Sequence, residues 1–100
     1  MAEAELVLDR LVHEPGRLAI LTVLSSVSDA DFLFLQRTTG LTKGNLSSHL
    51  AKLEDGGLVT IEKRFVRKKP NTRVALTDDG RRRTARHWEQ LDRLKRLGGS

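Results

Sequence analysis

Residues 42–52 and 63–73 hold the side chains whose types and spacing could do chemistry. In the first run, Thr42, Lys43, Gly44, Asn45, Ser47, Ser48 and Lys52 are small, cationic or able to hydrogen-bond. An asparagine amide can pair with the edge of adenine, and serine hydroxyls can bond to bases or phosphates. Lys43 and the open N–H groups behind Thr42, at a helix start, suit a phosphate. In the second run, Lys63, Arg64, Arg67, Lys68, Lys69 and Arg73 place six cations around one turn. One or two charges would protect an edge strand from aggregation. Six repel one another unless an anion neutralises them. Neutralising about six phosphates would make log K fall with log salt at a slope of about −5. Groups for base edges beside cations for phosphates make up the contact chemistry of double-stranded DNA.

Helical phasing sorts the first run into faces. At about 100° per residue, Leu46, Leu50 and Leu53 fall within one narrow stripe. The opposite side carries Gly44, Ser48 and Ala51, flanked by Asn45, Ser47 and Lys52. A merely solvated helix favours Glu, Lys, Arg and Gln, which also stabilise it. Glycine and two adjacent serines are poor helix formers, so this face answers a demand other than stability. His49 lies beside the leucine stripe and reads as a packing residue.

The elements that must position these groups are legible from periodicity and punctuation. Leu8, Leu11 and Val12 make a helical stripe over residues 4–13, with Leu6 and Val7 beside it. Pro15 suits the first turn of a second helix, which runs to about Ser25 and is apolar nearly all round. Ser28 or Asp29 caps a third helix carrying Phe32 to Leu35, and Gly40 ends it. Thr42 caps the fourth helix and Gly56-Gly57 stops it. Two helices joined by so few residues have the spacing of a helix-turn-helix. Val59, Ile61 and Phe65, then Val74 and Leu76, alternate with polar residues as two half-buried strands around a turn at 67–71. Thr77 caps a last helix to about Leu97, with Asp78 and Asp79 in its first turn. Gly98-Gly99-Ser100 reads as a frayed end. The expected fold is mostly α with a small β-hairpin, in one domain spanning 1–100.

Charge is unevenly spread along that order. Residues 1–60 hold five Lys/Arg against eight Asp/Glu, and residues 61–100 hold thirteen against five. The carboxyl-terminal part is therefore the one expected to face a polyanion. Apolar residues make up 38% of the chain, enough for one modest core. No apolar run approaches the roughly 18 residues of a membrane span. The acidic start, Met-Ala-Glu-Ala-Glu, is neither a signal nor a transit peptide. Cysteine is absent, which removes disulfides and thiolate metal sites and fits a cytoplasmic protein. His13, His49 and His87 make no evident ligand set, nor do His87 and Asp92, so no metal and no cofactor is expected. No nucleophile–base spacing, phosphate loop or isolated acid pair points to an enzyme.

The chain resembles the winged-helix transcriptional regulators of the multiple-antibiotic-resistance (MarR) and arsenic-repressor (ArsR) type over about residues 5–95. Three pieces carry the resemblance. Glu14-Pro15-Gly16-Arg17-Leu18-Ala19-Ile20-Leu21 is similar to the opening of ArsR-type domains. TGLTKGNLSSHLAKLEDGGLV, residues 39–59, looks like a recognition helix and its exit. Asn71-Thr72-Arg73, followed by Val-Ala-Leu-Thr and Gly80, looks like the second wing strand of MarR-type proteins. The resemblance implies a winged helix-turn-helix domain with an N-terminal helix and a long C-terminal helix. The recognition helix (about 42–55) would enter the major groove, and the hairpin (about 58–77) would be the wing. Lys43, Ser47, Ser48 and Arg73 fall on usual DNA-contact positions. Asn71 departs from the family's Asp, which orients the wing arginine, so the departure bears on Arg73.

The terminal helices, about 4–13 and 78–97, carry apolar stripes beyond what a small core needs. Leu6, Leu8 and Leu11 on the first, and Trp88, Leu91 and Leu94 on the last, are the candidate homodimer seam. Similar regulators dimerise through these helices. A two-fold dimer would read a pseudo-palindrome with half-sites about one helical turn apart. Arg81-Arg82-Arg83 and Arg86 either add phosphate contacts or pair with nearby acids or a partner; the sequence leaves both open. No small-molecule effector is evident, and one would have to bind between helices or at the seam. The leading expectation is a sequence-specific DNA-binding transcriptional regulator, a repressor that binds a pseudo-palindromic operator as a dimer. The competing reading is a winged helix that binds proteins, against which the polar face and the cationic hairpin argue.

Overall fold

The computed structural model describes residues 8–98. Pro15 opens α2 (Pro15–Ser25), where its fixed φ fits and its missing N–H costs no helix bond. Ile20, Leu21 and Leu24 of this helix are fully buried, so it forms the centre of the core. Before it stands α1 (Arg10–His13). Of the helix expected over 4–13, the described part begins at Arg10, because Asp9 is not helical but caps it. Its carboxylate accepts the N–H groups of Leu11 and Val12 at 3.1 and 3.4 Å. Arg83 holds the same carboxylate at 2.8 and 3.1 Å. That guanidinium, chiefly, keeps the Asp9 carboxyl below its ordinary range. Residues 4–7, Leu6 among them, lie outside the described residues, as do Gly99 and Ser100.

Next come β1 (Ala30–Asp31), α3 (Phe32–Thr39) and α4 (Lys43–Asp55). The cap of α3 is Asp31, whose carboxylate accepts the Phe34 N–H at 2.7 Å; neither Ser28 nor Asp29 fills that place. Gly40 ends α3 at φ 74°, a left-handed conformation that suits glycine. Thr42 then caps α4, its hydroxyl accepting the Asn45 N–H at 3.1 Å. β2 (Val59–Val66) and β3 (Lys69–Leu76) form the hairpin, and β1 joins it in an antiparallel sheet of order β1-β3-β2. The turn is tighter than expected, with only Arg67 and Lys68 between the strands. Both have positive φ, 52° and 66°. The hairpin outruns the body, so Phe65, expected to be half-buried, is 75% exposed. The buried set from α1 to β3 includes Val12, Leu35, Leu46, Leu53, Leu58 and Val74.

The last helix, α5 (Asp78–Gly98), begins where the Thr77 hydroxyl accepts the Gly80 N–H at 2.9 Å. It packs on α1 and α2. His87 is fully buried there, its Nε2 lying 3.1 Å from His13 Nδ1. Burial first, and His13 second, push the His87 pKa below its ordinary value of 6.5; the charge of Asp9 opposes them. The unfolded chain then binds the proton more readily than the native one. Stability is therefore complete above about pH 6.5 and falls on acidification, by at most about 1.4 kcal/mol per pH unit for one proton. Thermal melts between pH 7.5 and 5 should show that fall, and a shallower one in His87→Gln. Equal slopes in the two proteins would remove His87 as the cause. Among the described residues no helix is long and apolar enough to cross a membrane.

Candidate nucleic-acid interface

In α4 the leucine stripe and the polar face separate as helical phasing requires. Leu46, Leu50 and Leu53 are buried, whereas Thr42, Lys43, Gly44, Asn45, Ser47, Ser48 and Lys52 are all exposed. The exposed set divides further. Lys43, Ser47 and Ala51 turn toward the hairpin, whose Lys63, Pro70, Asn71 and Thr72 form the opposite wall of a 780 Å³ cleft. By the same phasing Gly44, Asn45, Ser48 and Lys52 lie outermost, at about 160–260° from Leu46. His49 is turned away from this face, with Nδ1 3.4 Å from Arg17 Nη1 and Nε2 3.6 Å from the Glu14 carboxylate. It packs, as its phase suggested.

The hairpin projects its cations unequally. Lys63, Arg64, Arg67, Lys68 and Lys69 are exposed, with Arg64 Nη1 3.4 Å from Glu62 Oε1. Arg73 is engaged within the sheet and not at the hairpin tip. It stands at the base of the wing, opposite Asp31 in the ladder. Its Nη2 bonds to Asp29, and its Nη1 lies 3.9 Å from Asp31. A guanidinium engaged by two carboxylates is not presented as the tip cations are. Asp29 escaped the sequence reading because it resembled a helix cap, and nothing local marks Asp31, or a partner more than forty residues away. Lys63, Asn71 and Thr72 were missed as cleft residues because strand alternation does not say what faces the helix.

The candidate seam is only partly free. Leu11 is half-buried and packs in part on the chain's own core, against Gly56. Leu8, Leu91 and Leu94 are half-buried, while Trp88 and Leu97 are 46% and 66% exposed. The Trp88 indole N–H donates to the Thr22 hydroxyl at 3.1 Å, which fixes the ring against α2. Arg83 is committed to Asp9, Arg82 lies 3.2 Å from Asp79, and Arg81 donates to the Ser25 carbonyl at 3.3 Å. Asp92 pairs with Arg96 at 2.8 Å.

Comparison with known proteins places this geometry. A family model described as a winged helix DNA-binding domain matches residues 17–95. An uncharacterized protein of Methanocaldococcus jannaschii is 35% identical over 72% of this chain and 78% of its own length. A transcriptional regulator homologue from Pyrococcus horikoshii superposes with a TM-score of 0.83 at 34% identity, over 94% of each chain. The fold is also that of a homodimeric winged helix-turn-helix DNA-binding domain from Mycobacterium bovis, a possible ArsR-family regulator. It has a TM-score of 0.67 at 22% identity, over 98% of this chain and 83% of that one.

Proposed function

The chain belongs to the winged helix DNA-binding domain family, and regulators of both the MarR and ArsR types are among its structural neighbours. From that premise we propose that it is a sequence-specific transcriptional regulator, a repressor that holds a pseudo-palindromic operator as a homodimer. The observation that carries the reading is the outward face of α4 beside the cationic hairpin. Gly44, Asn45, Ser47 and Ser48 are short enough to let the helix backbone approach base edges, and the latter three can hydrogen-bond there. Lys43 and Lys52 flank them, and Thr42 sits at the helix start, where N–H groups favour a phosphate.

The wing tip argues the same way. Left-handed backbone at a residue other than glycine costs about 1–2 kcal/mol. A two-residue hairpin turn is met most cheaply by Asn-Gly or Gly-Gly. Arg67 and Lys68 accept that strain, with Lys69 beside them. Their charge, and not the turn, explains why they are there. Phosphates give the grip, and α4 selects the sequence.

A dimer places two α4 helices on successive faces of the duplex. The exposed parts of Trp88 and Leu97, together with Leu8, Leu91 and Leu94, supply its seam. A protein covering its operator in this way represses by occupancy.

Selection of bound duplexes from a random pool, followed by salt titration, tests the reading. The expected product is a pair of inverted half-sites about one helical turn apart. Replacing Arg67, Lys68 and Lys69 together by alanine should flatten the log K against log salt slope by about 2–3. No enrichment at any salt would reject DNA binding in favour of a protein-binding module. A lone half-site would reject the dimer.

A further inference from the structure

Arg73 lies opposite Asp31 on one side of β3 and Glu62 on the other. Asp29 bonds to its Nη2, and Asp31 stands 3.9 Å from its Nη1. Asp31 also caps α3 through the Phe34 N–H at 2.7 Å. A single carboxylate thus joins the helix-turn-helix to the base of the wing. The Arg73 side chain is 28% exposed, and its Nε is buried without a hydrogen bond among the described residues.

Resting on the DNA-binding reading above, we propose that Asp29 and Asp31 are positioning residues for the wing. They clamp Arg73 so that the hairpin stands at a set angle to α4, and Arg73 acts through the clamp and not on a phosphate. Three physical points carry this. A two-stranded ribbon is marginal by itself and needs a third strand or another support. Here the third strand, β1, is two residues long. The ladder therefore gives the wing base little support, and the ion pairs sit where that support ends. Second, carboxylates beside a polyanion's path repel it. Asp31 lines the very cleft between α4 and the hairpin. Acids there oppose binding unless they are needed for something else. Third, a wing already held in its bound orientation does not lose that freedom on binding, which is what preorganisation gains. Arginine suits the task because its planar fork can meet two carboxylates at once.

The clamp makes a prediction of unusual sign. Asp29→Asn raises the net charge by one, so charge alone would tighten DNA binding. The clamp predicts about tenfold weaker binding to the selected duplex, with recovery in Asp29→Glu. Arg73→Gln should weaken binding by a similar factor. Arg73→Gln on the Asp29→Asn background should add little, because both act through one contact. Fluorescence anisotropy at fixed salt gives these affinities. Amide hydrogen exchange without DNA supplies an independent arm: protection should drop in residues 62–74 of Asp29→Asn and stay unchanged in α2 and α4. Tighter binding by Asp29→Asn, or a full further loss from Arg73→Gln on that background, would overturn the clamp and make Arg73 a direct contact. Unchanged wing exchange would overturn it too. Should the parent protein bind no duplex, the DNA reading fails while the exchange arm still decides the clamp.

Discussion

Substituting Ser48 by glutamate should abolish binding to the selected operator while leaving the fold intact. Ser48 is exposed on the outermost line of α4, away from the buried Leu46, Leu50 and Leu53. Glutamate is a better helix former than serine, and surface substitutions of this kind usually change stability by no more than about 0.5 kcal/mol. The thermal midpoint is therefore expected to stay near that of the parent. Against DNA the same change does two things. It removes a hydroxyl that can make a single hydrogen bond to the duplex, a loss of about 0.5–1.5 kcal/mol. It also brings a carboxylate against the phosphates, and such like-charge juxtaposition costs several kcal/mol more. Together these predict a loss of at least about a hundredfold, since every 1.4 kcal/mol is about tenfold. Ser48→Ala separates the two contributions, because it removes only the hydroxyl and should cost about tenfold at most. Anisotropy titrations on the selected duplex measure both. Parent-like affinity in Ser48→Glu, with an unchanged melt, would mean that this face of α4 does not meet DNA.

That prediction could be written from the sequence because everything it needs is local. The phase of Leu46, Leu50 and Leu53 fixes which side of α4 is outward, and the structure buries all three. Punctuation was equally readable. Pro15 begins α2, Gly40 ends α3, Thr42 caps α4 and the Thr77 hydroxyl accepts the Gly80 N–H. Such signals act over one turn of chain, so spacing reveals them.

What escaped is tertiary. Asp29 has the composition of a helix cap, yet it is taken by Arg73, and Asp31 does the capping. β1 is two residues long, too short for an alternation to show. Leu11, expected on one helical stripe with Leu8, lies against Gly56, where its side chain fills the space a β-carbon would take. Asp9, expected inside the first helix, instead caps α1 and holds Arg83. In each case a residue had two plausible local roles, and a distant partner chose between them. The candidate site divides along the same line: the outward polar face of α4 was legible, while the cleft wall and the ion pairs of Arg73 were not.

Gly80 shows how far a distant partner can outweigh a local rule, and it carries the largest stability effect expected. Inside a helix, glycine is about 1 kcal/mol worse than alanine. Propensity alone therefore predicts that Gly80→Ala stabilises α5. The packing says the opposite. Gly80 is buried, and a β-carbon there would fall on the Leu58 carbonyl oxygen and 2.9 Å from its carbon. That carbonyl belongs to rigid backbone and already accepts the Thr77 N–H at 3.0 Å. The Thr77 hydroxyl also donates to the Gly57 carbonyl at 2.7 Å, and the buried Thr84 hydroxyl donates to that of Gly80 at 2.7 Å. No side chain can rotate aside, so the start of α5 must lift off the segment that leads into the wing. Overpacking usually costs about 1–3 kcal/mol, and backbone obstruction belongs at or above the upper end. After the propensity gain, a net loss of about 2 kcal/mol or more remains, which is about 8–16 °C in Tm for a domain of this size. Gly44→Ala is the matched control. It makes the same chemical change in α4, where nothing stands within 4 Å. There the propensity argument is unopposed, and stability should rise by up to about 1 kcal/mol. Calorimetric melts of the two variants should therefore move in opposite directions. A Gly80→Ala protein as stable as its parent would refute the close approach of α5 to Leu58.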